Sequence, residues 1–334
     1  MKPTILAIES SCDDTSAAII KNGKVVNNII ATQSVHKKYG GVVPELASRA
    51  HQQNIVPVVK TAMDEAGITK NELDAIAFTR GPGLLGALLV GTSFAKSMAM
   101  GLDIPLIEVN HMQAHILAHF IDEPRPDFPF LCLTVSGGHT QIVLVKDFLK
   151  MEVLGETQDD AVGEAFDKCA KLMDFPYPGG PLIDKYARDG DAQAYSFPDT
   201  EMQGLNFSFS GIKTAFMYFL RDQKAKDPDF VEHNVHNICA SLQHSLIRML
   251  MQKLKRASAE TGIKRLAIAG GVSANTGLRA ELEKLAAEKG WTVFIPDFQY
   301  CTDNAGMIAM AAHYKYLNGE FSGLDVSPEA RMKI

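Results

Sequence analysis

Three stretches of this sequence repeat one pattern, and the repetition limits the possible folds more than any other feature. The first runs from Ile5-Leu6-Ala7-Ile8 through the polar turn Glu9 to Ser16 into Ala17-Ala18-Ile19-Ile20. Asn22-Gly23 follows, a dipeptide suited to a type I′ hairpin, and Lys24-Val25-Val26 returns. The second runs from Phe130 to Val135, turns at Ser136-Gly137-Gly138-His139-Thr140, and continues from Gln141 to Val145. The third is Arg265 to Ala269, then Gly270-Gly271-Val272-Ser273-Ala274-Asn275, then an amphipathic helix to about Lys289. The first two read as antiparallel hairpins far apart in the chain, each opening one half of a duplicated α/β fold.

Helices fill the intervals. Pro44 can start one that runs to Ala66 before Gly67, and a small-residue helix spans Gly83 to Gly101. Ala75–Thr79 and Leu106–Val109 read as buried strands. The polar segment 155–233 resembles a helical insertion, and Val293–Pro296 reads as the last strand, before a closing Ala- and Met-rich helix that returns to the first half. The expected division is an N-terminal lobe of 1–109 plus about 304–334 and a C-terminal lobe of 110–303. A length of 334 residues suits two such lobes.

The N-terminus reads as a strand because its apolar run is short and Glu9 follows at once. No apolar run is long enough to predict a membrane span. Cys12, Cys132, Cys169, Cys239 and Cys301 are scattered, with no Cys-x-x-Cys pair. This pattern predicts a reduced, cytoplasmic protein without a cysteine zinc site. The formal net charge of −6 argues against an extended nucleic-acid surface. Lys253, Lys255 and Arg256 form a local basic cluster, read as a solvated helix face.

His111 and His115 lie four residues apart, and Asn110 can cap the helix they occupy. That spacing puts both imidazoles on one helix face, able to grip one metal ion. In a zinc protease the residue after the first His is Glu, the general base. Here it is Met112, which cannot take a proton. A His pair at this spacing often just lines a half-buried helix face, and His119 continues the row. A third ligand, such as a carboxylate, would suit iron or zinc.

Glycine-rich turns present backbone N–H groups to anions. Ser136 to Thr140 suits a phosphate, and Gly270-Gly271 before a helix suits a nucleotide. Each could equally be an ordinary turn. Asp13 and Asp14 serve either as turn residues or as carboxylates beside a phosphate loop. Asp167 with Lys171 reads as a surface ion pair, and Asp184-Lys185 as an exposed helix start.

Beyond these, the sequence carries Tyr39-Gly40-Gly41-Val42-Val43-Pro44-Glu45-Leu46-Ala47-Ser48-Arg49, Gly81-Pro82-Gly83-Leu84 and Gly163-Glu164-Ala165-Phe166-Asp167-Lys168. It also carries Tyr177-Pro178-Gly179-Gly180, Phe207-Ser208-Phe209-Ser210-Gly211 and Cys301-Thr302-Asp303-Asn304. Together with Glu9 to Asp13, the His pair and the two Gly-Gly turns, this set closely resembles the bacterial TsaD family, once called glycoproteases, over nearly the whole length. The resemblance implies a two-lobed α/β fold of the actin/sugar-kinase/Hsp70 class with a nucleotide cleft. It implies transfer of a threonylcarbamoyl group from threonylcarbamoyl-AMP to N6 of adenosine 37, in tRNAs reading codons that begin with A. It implies one Fe²⁺ or Zn²⁺ per subunit on His111, His115 and Asp303. It places Thr134, Val135, Ser136, Gly137, Gly138, Asp167, Gly180, Asp184 and Asn275 at the adenylate, and Asp13 in catalysis. Asp14 stands where many members carry Glu.

The resemblance also implies two partners, a TsaB-like paralogue and a TsaE-like ATPase. With so acidic a chain, tRNA binding is expected to be local or shared with them. The rival expectations are an ATP-dependent phosphotransferase or ATPase of the same fold, a metalloprotease, which Met112 opposes, and a non-catalytic scaffold.

Overall fold

A computed structural model describes residues 3–200 and 202–334, which divide into two compact units. The first comprises 1–125, 147–151 and 296–334; the second comprises 126–146 and 152–295.

The first unit is built on β1 (Thr4–Glu9), β2 (Asp14–Lys21), β3 (Lys24–Thr32), β4 (Ala75–Gly81) and β5 (Leu106–Asn110), in the order β3-β2-β1-β4-β5. β1 pairs antiparallel with β2 and parallel with β4, and β4 pairs parallel with β5. Asn22 and Gly23 both have positive φ, at 58° and 78°, as the expected I′ turn requires. Every residue of β1 is buried, so both faces of the sheet are covered. On one face Leu6, Ile8, Ile76 and Phe78 pack with Ile55, Val58 and Val59 of α1 (Pro44–Ala66) and with Ala95 and Ala99 of α2 (Leu85–Leu102). The closing helix, Ala305–Leu317, packs on β1 and β2. α3 (His111–Leu117) follows β5 directly and packs on the closing helix.

α2 meets the length and composition of a membrane span, which the reading of apolar runs did not anticipate. Small residues interrupt its apolar ones, so the segment does not stand out as a run. Its buried Ala87, Leu88, Gly91, Thr92, Ala95 and Ala99 face protein, and α2 packs on α1 and β4.

The second unit repeats the scheme. β6 (Phe130–Val135), β7 (Thr140–Asp147), β8 (Lys150–Glu156), β9 (Arg265–Ala269) and β10 (Thr292–Phe294) are ordered β10-β9-β6-β7-β8. β6 pairs antiparallel with β7 and parallel with β9, as β1 does with β2 and β4. The duplication expected from the two hairpins is therefore present in strand order and direction.

Between β8 and β9 lie α4 (Val162–Leu172), α5 (Gly180–Ala187), α6 (Ser210–Lys224) and the long α7 (Phe230–Thr261); α8 (Thr276–Lys289) follows β9. The helical region thus runs past residue 233. Lys253 and Arg256 of α7 donate to the carbonyl of Gly204, and Lys253 also to that of Met202. These two cations hold a loop, where the basic cluster had been read as a solvated face.

The unit boundaries differ from the expected ones. They fall after Arg125 and after Ile295, where 109/110 and 303/304 were predicted. The physical reason is packing: α3 has no gap from β5 and buries itself on the closing helix, so the histidines and the segment 296–303 stay with the first unit.

Candidate metal centre

α3 begins where β5 ends. Asn110 stops the strand, and its Oδ1 accepts from the backbone N–H of Met112 at 2.9 Å and of Gln113 at 3.1 Å. This cap fixes the first turn, and with it the direction of His111. His111 and His115 are buried, with ring centroids 4.7 Å apart and planes at 87°. Asp303 reaches them from the loop before the closing helix, whose N-terminus Asn304 caps through Met307 N–H. Asp303 Oδ1 lies 3.3 Å from Nε2 of His111 and 3.3 Å from Nε2 of His115.

The three donors lie within 4.8 Å of one another, and the two spacings to Asp303 suit an ion. Bonds of about 2.0–2.1 Å at a tetrahedral angle put neighbouring ligand atoms about 3.3 Å apart. Among the described residues, both ring nitrogens of His115 are buried without a hydrogen-bond partner, a costly state for a polar group unless something else binds it. Among the described residues, these three form the one His/Cys/Asp/Glu cluster able to hold a metal ion. His119, the third of the row, lies outside it, in the short 3₁₀ turn after α3.

Charge reinforces the geometry. Burial pulls the His111 imidazolium pKa down, but Asp303 and Glu9 outweigh it and raise it well above the ordinary value. Burial alone would raise the Asp303 pKa, yet His111 and His115 hold it well below the usual carboxylate range. The His115 pKa is lowered, chiefly by burial. Glu9, fully buried at the end of β1, faces Nδ1 of His111 at 3.0 Å. Sequence reasoning quoted Glu9 in a motif but gave it no role. Its signal was a carboxylate ending an otherwise apolar strand.

Asp13 lies in the turn between β1 and β2, half-buried. Its charge, with those of Asp303 and Glu9, acts on Asp14, whose pKa burial and then these neighbours push up to about 7. Four carboxylates therefore surround the start of β2. His51 of α1, fully buried, braces this turn, with Nε2 3.0 Å from the Cys12 carbonyl and Nδ1 2.7 Å from Thr15 Oγ1. No spacing in the sequence links His51 to Asp13.

The other predicted positions all fall in the second unit. Thr134 and Val135 end β6 with buried side chains. Ser136 closes a tight turn: its N–H donates to the His139 carbonyl at 2.8 Å, and its Oγ accepts from His139 N–H at 3.0 Å. Neither Gly137 nor Gly138 has positive φ, and among the described residues nothing lies within 4 Å of a Cβ built on either. Gly270 differs. It sits at φ +88°, and a Cβ there would stand 2.5 Å from the Val135 carbonyl oxygen.

Asp167 and Asp184 are not the surface groups that the bare sequence suggested. Asp167 Oδ1 accepts from Gly179 N–H at 2.8 Å and Gly180 N–H at 3.0 Å. Asp184 is buried and accepts from Thr276 at both its N–H and its hydroxyl, at 2.9–3.2 Å. Asn275 caps α8 through Leu278 N–H and donates to Gln243 Oε1 at 2.7 Å. Asp184, Thr276 and Asn275 thus meet at the start of α8.

Comparison with known proteins agrees. The profile of the TsaD family, tRNA N6-adenosine threonylcarbamoyltransferase, matches residues 24–310. A protein of that name from Cytophaga hutchinsonii is 63% identical over 100% of this chain and 97% of its own length. Another, from Christiangramia forsetii, is 62% identical over 100% of this chain and 99% of its own. Among solved structures, T. kodakarensis HypF aligns with a TM-score of 0.65 at 15% identity, covering 97% of this chain and 49% of HypF. Component A of the Acidaminococcus fermentans (R)-2-hydroxyglutaryl-CoA dehydratase aligns at 0.56 and 13% identity, over 94% of this chain and 99% of that one. These two likenesses concern the fold, the duplicated α/β architecture of the actin/sugar-kinase/Hsp70 class. The chain belongs to the tRNA N6-adenosine threonylcarbamoyltransferase family, and it is a transferase that places a threonylcarbamoyl group on N6 of adenosine in tRNA.

Proposed function

We propose that this transfer uses threonylcarbamoyl-AMP as donor and adenosine 37 as acceptor, in tRNAs reading codons that begin with A, with one Fe²⁺ or Zn²⁺ held by His111, His115 and Asp303. The observation that carries the reading is the triangle of Nε2, Nε2 and Oδ1, with both histidines buried and His115 without another partner among the described residues. Such an ion supplies Lewis acidity toward the acyl group. Two histidines and one carboxylate suit either metal.

The donor is a mixed carbamic–phosphoric anhydride, so its leaving group is already good. The acceptor is a weak nucleophile, because the N6 lone pair is delocalised into adenine. Positioning and electrostatics therefore supply most of the catalysis. Asp13 takes the proton that N6 loses as the new bond forms. Backbone N–H groups of Gly137 and Gly138 and the hydroxyl of Ser136, presented by Thr134 and Val135 at the end of β6, hold the phosphate. The open space at both glycines supports this, because packing does not demand glycine there. Asp167 and Asp184 hold the Gly179-Gly180 turn and the start of α8 in shape for the nucleotide, and Gly180 and Asn275 line it.

A net charge of −6 supports shared tRNA binding, with a TsaB-like paralogue and a TsaE-like ATPase as partners. None of the five cysteines forms a disulfide among the described residues, which supports a cytoplasmic setting. A peptidase reading lacks its base: Met112 is 2% exposed and carries no ionisable group.

The test is transfer from preformed threonylcarbamoyl-AMP to unmodified tRNA with the two partner proteins present. Chelation should abolish it, and Fe²⁺ or Zn²⁺ should restore it. Transfer that survives complete metal removal overturns the reading.

A further inference from the structure

Glu9 is the most deeply buried acid of the first unit, at 0% exposure. A carboxylate taken from water is stable only when its oxygens are occupied. Here they are. Oε1 accepts from Ser11 N–H at 2.5 Å, and Oε2 accepts from Thr79 Oγ1 at 2.6 Å. The third neighbour is Nδ1 of His111, 3.0 Å from Oε2, with Ser11 Oγ 3.2 Å from the same nitrogen. Strand register builds this arrangement. β1 and β4 run parallel with Ile8 beside Phe78, which brings the next residues, Glu9 and Thr79, together. β4 and β5 run parallel with Thr79 beside Val109, two residues before His111.

An ionised carboxylate only accepts hydrogen bonds. With an ion on Nε2, the one proton of a neutral His111 sits on Nδ1, where the ionised Glu9 accepts it. Nε2 is left with its lone pair, and it is Nε2 that stands 3.3 Å from Asp303 Oδ1. His115 has no such device, since its Nδ1 has no hydrogen-bond partner. The two histidines of the pair are thus unequal: among the described residues only His111 has a carboxylate on its Nδ1.

We propose that Glu9 is the positioning residue of the metal centre: it fixes the tautomer and ring direction of His111 and so sets how tightly the ion is held. Thr79 and Ser11 hold Glu9 in turn. The proposal rests on His111, His115 and Asp303 being metal ligands. Carboxylates that hold the outer nitrogen of a metal-binding histidine typically change metal affinity about 10–100-fold.

The experiment uses the full chain and Zn²⁺ alone, titrated against a chromophoric chelator. Glu9→Gln keeps the shape of the side chain but offers an amide N–H toward His111. Its Zn²⁺ dissociation constant should rise about 10–100-fold. Long-range ¹H–¹⁵N spectra of the Zn²⁺-loaded protein should show the Nδ1–H signal of His111 shifted by loss of its carboxylate acceptor, while His115 is unchanged. Thr79→Val removes one donor to Glu9 and nothing from the ligands, and should weaken Zn²⁺ by a smaller factor. This second variant decides the matter if Glu9→Gln does not fold. His111→Ala separates the two layers of the claim. If His111→Ala loses Zn²⁺ while Glu9→Gln and Thr79→Val bind like the parent, the role of Glu9 is overturned and the metal site stands. If His111→Ala binds Zn²⁺ like the parent, the metal site falls and the proposal falls with it.

Discussion

Oδ1 of Asp303 and Nε2 of His115 stand 3.3 Å apart, and among the described residues His115 has no hydrogen-bond partner on either nitrogen. A buried imidazole with nothing else to bind, beside a carboxylate held strongly ionised, is a site prepared for a cation. His111 closes the triangle at the same distance from Asp303. Helix spacing explains the two histidines, and packing of the closing helix on α3 explains how Asp303 reaches them.

Removing a ligand should remove the metal before it removes the fold. His115→Ala is expected to lower bound metal from about one ion per chain to near zero by elemental analysis, and to cut transfer by about 100-fold or more. The circular dichroism spectrum should stay that of the parent. Retention of a full metal complement would contradict the assignment.

Metal binding should release protons. In the free protein the His111 pKa is raised well above its ordinary value, against the pull of burial, by Asp303 and Glu9. The ring therefore keeps its proton at neutral pH and must shed it to bind an ion. As pH falls, affinity falls, by up to about tenfold per unit below that pKa. Calorimetry of Zn²⁺ binding in buffers of different ionisation enthalpy reads the proton count directly, and a count of zero at pH 7 would refute this.

Asp14 gives a pH dependence of stability. Burial first, then the charges of Asp13 and Asp303, push it up to about 7 from the ordinary 3.8. The folded state therefore holds a proton that the unfolded chain has lost. Stability from this group is fully present below about pH 4 and drains away as pH rises through about 7. Asp14→Asn should stabilise the metal-free protein at pH 8, by at most about 4 kcal/mol, and the gain should vanish near pH 4. Denaturant melts at the two pH values test this, and equal gains at both would be inconsistent with it.

Asp13→Asn should cut transfer from preformed threonylcarbamoyl-AMP by about 10²–10⁴-fold. Bound metal and the melting temperature should be unchanged. Unaltered turnover would take Asp13 out of the chemistry.

Glycines at the two turns should behave differently. Gly270→Ala forces a Cβ to within 2.5 Å of the Val135 carbonyl oxygen at a φ of +88°, so it should destabilise by about 2 kcal/mol or more. Gly137→Ala meets nothing within 4 Å among the described residues and should leave stability nearly unchanged. If Gly137 serves the phosphate, its variant should instead weaken binding of AMP. A variant that melts early and binds AMP normally would reverse the two roles.

Much of the architecture was written in local sequence. Pro44 and Gly67 bracket α1, Asn22-Gly23 sets a hairpin, and Asn110 and Asn275 cap α3 and α8, because turns and caps are decided by residues within a few positions of each other. The repeated strand–turn–strand segments likewise disclosed the duplication. The family motifs named Asp303 as a ligand, but no spacing could place it beside His111. Tertiary structure alone set the unit boundaries, the proton-directing contact of Glu9 with His111, the brace of His51 behind Asp13, and which glycines the backbone needs. Each depends on strand register or helix packing between segments distant in the chain, and such contacts leave no periodic signal in sequence.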